Sequence, residues 1–524
     1  MVFTLHTESS LPLYRQICEG LRREIVVGSI AVGARLPSSR QLATDLGVSR
    51  ITVANAYAEL EADGVVEARP GAGTFVLPPW AGPLSGEDSP GNATLPPWQA
   101  MLGAQINPVR DRMLRQVLRG PTLDDTVSFA WGAGDPRLVP TETFRRVLTE
   151  VLDRDGAAAL GPEHSDGYPP LQRALAQYVR QLGIDAGPEE IVVTAGTQQA
   201  ITMLAGALLQ PGDCVVVETP TWPGALEAFE ARQATVIGVP LDGDGMRADV
   251  LQQVLEAHHP RLIYTVPTFQ NPTGTVMSAT RRREIVTLAH RYGVPILEDD
   301  HVREVHFGSP IPPPLAAFDR YGDVIHASSF TKSFLPALRL GYIVARGPLR
   351  EALTAMRRSA DLFSSSLMQR ALCEYLESGA MQRHWKYISR VYRRRHTAMM
   401  IALKRSFPPG VTWTGVEGGL VVWVSVPPQL SVIDLFEDTL RAGVSFVAGA
   451  AFFPTPNDQP FMRLNFAAVD EQQIDRGIEI LGQLLHQQLA ARPTAAATIA
   501  RDSAGTASPY TYAADTTADY RNHF

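Results

Sequence analysis

The chain has 524 residues, 45% of them hydrophobic and 19% charged, with a net charge of −7, so two or three globular domains are expected and the charge balance advertises neither nucleic acid nor an anionic membrane. No apolar run approaches the ~18 residues of a spanning helix, and the start lacks the basic and apolar regions of a secretory signal. Cys18, Cys214 and Cys373, with twelve scattered histidines, form no disulfide or metal spacing; this fits a reducing cytoplasm and no structural metal.

Residues 1–78 read as a small helical unit closed by a hairpin. Leu13, Ile17, Leu21 and Ile25 recur every four residues, which predicts a helix ending near Gly28. A second helix starts at a Ser38 or Ser39 cap and runs to Leu46, with Gly47 as its stop. Ser49 caps a third, in which Val53, Tyr57 and Leu60 face one way until Gly64. Val65 to Ala68 and Thr74 to Leu77, on either side of Arg69-Pro70-Gly71-Ala72-Gly73, predict a hairpin. The whole is a winged helix-turn-helix, with Ser49-Arg50-Ile51-Thr52 where a recognition helix meets base edges. Seven arginines, no lysine and eight acidic residues leave the unit without a basic excess, so architecture rather than charge points to DNA. A protein-docking module is the competing reading.

Six prolines between Pro78 and Pro97 mark a linker, taken as 79–123. From 124 to 490, apolar runs alternate with helical stretches, as in an α/β domain with a mainly parallel sheet. The runs are Glu190 to Thr194, Cys214 to Val217, Leu262 to Val266 and Pro295 to Glu298. Residues 491–524, rich in Ala, Thr, Asp and Ser, read as a disordered tail.

Of 47 basic residues only Lys332, Lys386 and Lys404 are lysines. Arginine cannot form a Schiff base, so a primary amine kept in the hydroxyl-rich turn Ser328-Ser329-Phe330-Thr331-Lys332-Ser333, with Arg339 seven residues on, suits an aldehyde cofactor carrying a phosphate. An ordinary exposed lysine in an arginine-biased chain is the bland alternative. Asp299, at a strand end, is placed to pair with a pyridine nitrogen. Asn271, in Asn271-Pro272-Thr273-Gly274, closes another strand and suits a phenolic oxygen. Gly196-Thr197-Gln198 opens a helix whose N–H groups suit a phosphate, completed by Ser329 and Arg339. Trp222 offers a stacking face, and Arg463 is either a carboxylate clamp or half of a structural ion pair.

Residues 11–77 resemble the GntR superfamily of bacterial regulators through Pro12-Leu13-Tyr14, Leu36 to Ala43, Gly47 to Val53 and the stretch from Gly64 to Val76. The resemblance implies DNA contacts by Arg40, Ser49, Arg50, Thr52 and Gly71; Ala54 stands where the family carries a further arginine. Phe129 to Phe466 looks like the fold-type I, class I/II aminotransferase family, and the whole resembles the MocR subfamily of GntR regulators. That implies pyridoxal 5′-phosphate held as an internal aldimine on Lys332, lined by Gly196, Thr197, Gln198, Trp222, Asn271, Asp299, Ser329, Arg339 and Arg463, and a homodimer. His301 and Pro162 each replace a family tyrosine, which weakens the expectation of efficient turnover more than that of cofactor binding. The expected function is a cytoplasmic regulator that binds an operator duplex and senses an amino-acid-like effector, or the cofactor itself. The alternatives are a working aminotransferase with an accessory DNA module, and a sensor that has lost its cofactor.

Overall fold

A computed structural model describes residues 12–26, 30, 33–62, 65–69, 73–77, 110–111, 114–115, 126–455 and 459–491. Gly28, Gly64, Gly71, most of 79–123 and residues 492–524 lie outside the described residues.

The N-terminal unit has three helices, α1 (Leu13–Val26), α2 (Ser39–Leu46) and α3 (Arg50–Ala62). The Ser38 hydroxyl caps α2 by accepting from the Gln41 N–H at 3.2 Å. Gly47 closes it at φ 66°, a left-handed conformation that costs a residue without Cβ little. Ile17, Leu21, Leu42, Val53, Ala56 and Leu60 are buried together as one core. That core selects the register of the three short helices, which would be marginal alone. Strands β1 (Val66–Arg69) and β2 (Gly73–Val76) pair antiparallel from Val66↔Val76 to Arg69↔Gly73, with β1 starting and ending one residue later than the sequence suggests.

The large domain begins at β3 (Val127–Ser128), which pairs with β14 (Val444–Ser445). Its main sheet has the order β4 (Ile191–Thr194), β11 (Gly341–Val344), β10 (Val324–Ser329), β9 (Ile296–Asp299), β8 (Leu262–Thr265), β5 (Cys214–Thr219), β6 (Thr235–Asp242), β7 (Gly245–Met246). The contacts β10–β9, β9–β8, β8–β5 and β5–β6 are parallel, whereas β11 is antiparallel to both neighbours and β7 is an antiparallel edge. Helices on both faces explain why the central strands are continuous apolar runs rather than alternating ones. Val216, Ile263 and Ile296 fill one core, and Val217, Tyr264 and Leu297 fill the other. A second, antiparallel sheet of β12 (Thr412–Trp413), β13 (Val421–Ser425), β16 (Phe461–Asn465) and β15 (Val447–Ala448) lies beyond the 27-residue helix Ala380–Ser406 in the chain. No helix among the described residues is long and apolar enough to cross a membrane.

One glycine ties sheet and site together. A Cβ on Gly341 would lie 2.4 Å from the Ser328 carbonyl oxygen and 2.9 Å from Gly196 Cα, so β11 approaches its neighbours more closely than any side chain permits. Gly341→Ala is expected to lower stability by about 2–3 kcal/mol, because backbone on both sides cannot move aside. A thermal melt matching the parent within a degree would contradict that.

Candidate cofactor and effector site

Sequence-distant residues converge because parallel strands deliver all their C-terminal ends to one edge. Thr194 ends β4 and leads to Gly196; Thr219 ends β5 and leads to Trp222; Asp299 ends β9; Ser329 ends β10, three residues before Lys332. The antiparallel β11 starts at the same edge, which is why Arg339, just before it, joins them. The cleft they line is about 310 Å³, and it contains Gly196, Thr197, Gln198, Trp222, Asn271, Asp299, His301, Ser329, Lys332, Arg339 and Arg463. Asn271 does not close a strand: β8 stops at Thr265, and Asn271 follows in a loop.

The loop end of the cleft is a cradle for an anion. Gly196 (φ 106°) precedes the helix Thr197–Leu208, whose first N–H groups and macrodipole favour negative charge. A Cβ at Gly196 would meet Ser329 Oγ at 3.3 Å, Thr331 Oγ1 at 3.6 Å and Arg339 Nη2 at 3.8 Å. The Ser329 hydroxyl donates to Thr331 Oγ1 at 2.9 Å and accepts from the Thr331 N–H at 3.1 Å. Arg339 is exposed and donates to the Ala195 carbonyl at 2.9 Å, which aims it across the loop. Gln198 accepts from Trp222 Nε1 at 2.9 Å and donates to the Gly224 carbonyl at 2.7 Å, so its side chain fixes the indole and its backbone faces the cradle.

At the other end, Asp299 accepts from the Tyr264 hydroxyl at 3.0 Å through Oδ2. Its Oδ1 is buried without a hydrogen-bond partner among the described residues. His301 Nδ1 stands 3.4 Å from that oxygen. A carboxylate oxygen left unsatisfied in a cleft asks for an N–H from a ligand.

Lys332 is half-buried. Burial, with the Arg463 and Arg339 guanidiniums, brings its ammonium down to about 8 against the pull of Asp299. Arg463 is fully buried in β16, and burial lowers it to about 9. It donates to Asn271 Oδ1 at 3.2 Å and to the Ala130 carbonyl at 2.9 Å, while its Nε has no partner among the described residues. No carboxylate pairs with it there, so the structural ion pair does not form.

Sequence reasoning missed the scaffold behind these groups. Glu218, buried near the end of β5, accepts from the Thr265 hydroxyl, the Val266 N–H and Gln270 Nε2. Gln270 also donates to the Pro220 carbonyl at 2.8 Å and accepts from Thr273 N–H at 2.9 Å. These bonds lock the Asn271 loop to the Trp222 loop. An acid inside the run Val215-Val216-Val217-Glu218 was the available signal. Behind Asp299, Glu298, Asp300 and His326 bring ligand-type atoms within 4.8 Å of one another. Glu298 spends its oxygens on the Leu315 and Ala316 N–H groups, and Arg303 pairs with Asp300. Arg282, also buried, stands 3.8 Å from Glu298, so two guanidiniums supply the positive charge there. Residues of the expected linker were missed as well. Leu114 lines the cleft, and buried Arg110 pairs with Glu230 and donates to the Phe453 carbonyl at 3.2 Å. The described residues 110–111 and 114–115, within the expected linker 79–123, are helical.

In the N-terminal unit, Arg40 is exposed on α2, and Ser49, Arg50 and Thr52 open α3. The Ser49 hydroxyl accepts from the Thr52 N–H at 3.1 Å, and Arg50 Nε reaches Ser39 Oγ at 3.5 Å. Gly71 lies outside the described residues.

Residues 127–481 match the family described as aminotransferase class I and II, and residues 13–76 match bacterial regulatory proteins of the gntR family. The uncharacterized HTH-type transcriptional regulator YdfD of Bacillus subtilis is 30% identical over 92% of this chain and 98% of its own length. The probable rhizopine catabolism regulatory protein MocR of Rhizobium meliloti is 29% identical over 92% of this chain and 95% of its own. The chain belongs to the MocR subfamily of GntR-type regulators. This MocR-type regulator therefore joins a GntR DNA-binding module to a pyridoxal phosphate-dependent, aminotransferase-like domain. Its large domain is similar to LysN, the α-aminoadipate aminotransferase of Thermus thermophilus, crystallised with N-(5′-phosphopyridoxyl)-L-leucine. That structure is 32% identical with a TM-score of 0.70, covering 75% of this chain and 100% of its own. The cleft of the MocR-type chain fits the cofactor on its own terms. The orphaned Asp299 oxygen suits a ring N–H, the space at Gly196 suits a phosphate, and Lys332 supplies an amine near neutrality.

Proposed function

We propose that the chain is a homodimeric cytoplasmic regulator that takes an amino-acid-like effector in the Lys332 cleft and passes its occupancy to the DNA-binding module. The observation that carries this reading is Arg463, a buried guanidinium with an unsatisfied Nε, no carboxylate partner among the described residues and a place in the same cleft as Lys332. A buried cation without a counter-charge is costly, and an effector carboxylate relieves that cost through two parallel hydrogen bonds.

In this reading Lys332 is the covalent anchor, Asp299 and His301 serve the ring nitrogen side, and Asn271 with Trp222 positions the ring. Gly196, Thr197, Gln198, Ser329 and Arg339 hold the phosphate. Pyridoxal phosphate, when bound, supplies an aldehyde for amine capture and a ring that withdraws electrons. Arg40, Ser49, Arg50, Thr52 and Gly71 are the proposed DNA contacts, with phosphates held by the arginines and by the α3 N-terminus. Two copies would set two α3 helices on half-sites about 34 Å apart. Among the described residues no disulfide joins Cys18, Cys214 or Cys373, which supports a reducing compartment.

Residues 79–123 connect the proposed domains 1–78 and 124–490, with 491–524 as a tail. Arg110 is pinned to Glu230, the last residue of the helix that Trp222 caps, and Leu114 enters the lining. An effector that moves Trp222 or displaces Leu114 thus acts directly on the connecting chain. Its leverage is bounded by its differential affinity for the two arrangements.

The test is operator affinity by fluorescence anisotropy, using the full chain loaded with cofactor and duplexes selected from a random pool. Amino acids and their decarboxylated amines are titrated in parallel. At least one amino acid is expected to shift affinity about 5- to 150-fold, and its amine is not. Unchanged affinity with every amino acid, alongside steady amino-group transfer to a keto acid, would give the site to catalysis instead.

A further inference from the structure

The DNA-binding module carries a clue to which bases it reads. On α3, Val53, Ala56 and Leu60 are 0% exposed and Tyr57 8%, so one row of the helix is committed to the core. The opposite row is Ile51, Ala54, Asn55 and Ala58, all exposed. Ile51 is 73% exposed, a large β-branched side chain in water beside Arg50 and the hydroxyls of Ser49 and Thr52. Leaving such a side chain unburied forgoes about 2 kcal/mol.

The hydroxyls nearby are engaged locally. Ser49 Oγ and Thr52 Oγ1 are 2.8 Å apart, and Ser49 also caps the helix. Arg50 leans toward Ser39 at the start of α2, where a backbone phosphate is the natural partner. The span from Ser49 to Ala58 holds no acid; Glu59 and Glu61 follow at the far end. That half of α3 is therefore the part an anionic duplex can approach, and its outward row has no cation to read guanine. Alanines at 54 and 58 let the helix sit close to base edges. The Asn55 amide makes no hydrogen bond among the described residues and offers a donor beside an acceptor.

We propose that Ile51 and Asn55 set operator specificity by reading A·T pairs in the major groove, Ile51 against a thymine C5-methyl and Asn55 against the N6/N7 edge of an adenine. Substitutions at the exposed Ile51 do not disturb the core, so affinity reports contact rather than folding.

The experiment selects half-sites from a random duplex pool with the full-length protein. It then replaces single thymines by uracil, which removes only the methyl group. For one thymine per half-site, uracil is expected to weaken binding about fourfold in the parent and not at all in Ile51→Ala. Asn55→Ala is expected to lose about tenfold and to accept any pair at one adenine position. Selected half-sites with guanine at both positions would overturn the proposal. So would parent binding that tolerates uracil everywhere, or an Ile51→Ala protein that keeps the full uracil penalty. Circular dichroism and melting of each variant confirm that the fold is intact.

Discussion

Lys332→Ala is expected to abolish covalent retention of pyridoxal phosphate while leaving the fold and duplex binding in place. Borohydride reduction followed by mass spectrometry should find the adduct on Lys332 in the parent and nowhere in the variant. Lys386 and Lys404, the other two lysines, lie on the helix Ala380–Ser406 and not in the cleft lining. A pH dependence accompanies this. Attachment needs the neutral amine, so it gains speed as pH rises through the lysine's own value. With that value at about 8 rather than the ordinary 10.5, about a quarter of the amine is neutral at pH 7.5 instead of about a thousandth. The sign of the neighbours follows. Arg463 and Arg339 disfavour the ammonium, so removing either guanidinium raises the Lys332 value and moves the attachment profile to higher pH. Burial contributes more than either arginine, so the profile of such a variant should still fall below that of a solvated lysine. An adduct found at another lysine, or an attachment midpoint near 10.5 in the parent, would remove the basis for the whole site.

Arg463→Met should separate cofactor from effector. Methionine fills much of the volume but offers no donor, so an effector carboxylate would meet an apolar wall where it now meets a fork of N–H groups. Losing one side of a buried charge pair costs about 2–5 kcal/mol, so the amino acid that shifts operator affinity in the parent should bind at least about 30-fold more weakly. Its decarboxylated amine, which never used Arg463, should be unaffected. That contrast distinguishes a carboxylate clamp from general damage, because Arg463 also holds the Ala130 carbonyl and Asn271. Arg463→Lys keeps charge but not the fork and should recover only a small part of the loss. Equal losses for acid and amine in both variants would show that Arg463 merely holds the wall of the cleft.

Local chemistry made much of the protein legible. The three helices of the N-terminal unit appear where four-residue apolar spacing and the Ser38, Gly47 and Ser49 signals put them, because caps and stops act within one turn. The central strands were readable as apolar runs because a sheet covered on both faces leaves no polar alternation. Most of the cleft residues were nameable one by one, sitting at a strand end or before a helix; Asn271, in a loop, and Arg463, inside β16, were named from their local sequence. Their scaffold was not. Glu218 and Gln270 are 52 residues apart, and nothing local in either says that together they clasp two loops. Leu114 and Arg110 sat in a stretch read only by its prolines, and Arg110 finds its partners in Glu230 and the 453–454 backbone far along the chain.

By itself the order of residues determined the two-part architecture and singled out Lys332 and the side chains that line its cleft, since helix caps, apolar periodicity and strand-end turns are short-range. Only the tertiary structure decided that, among the described residues, Asp299 keeps an unsatisfied oxygen and Arg463 meets no carboxylate, and that Ile51 stands in solvent. Those properties depend on which groups fail to meet, and that follows from how distant strands and helices pack.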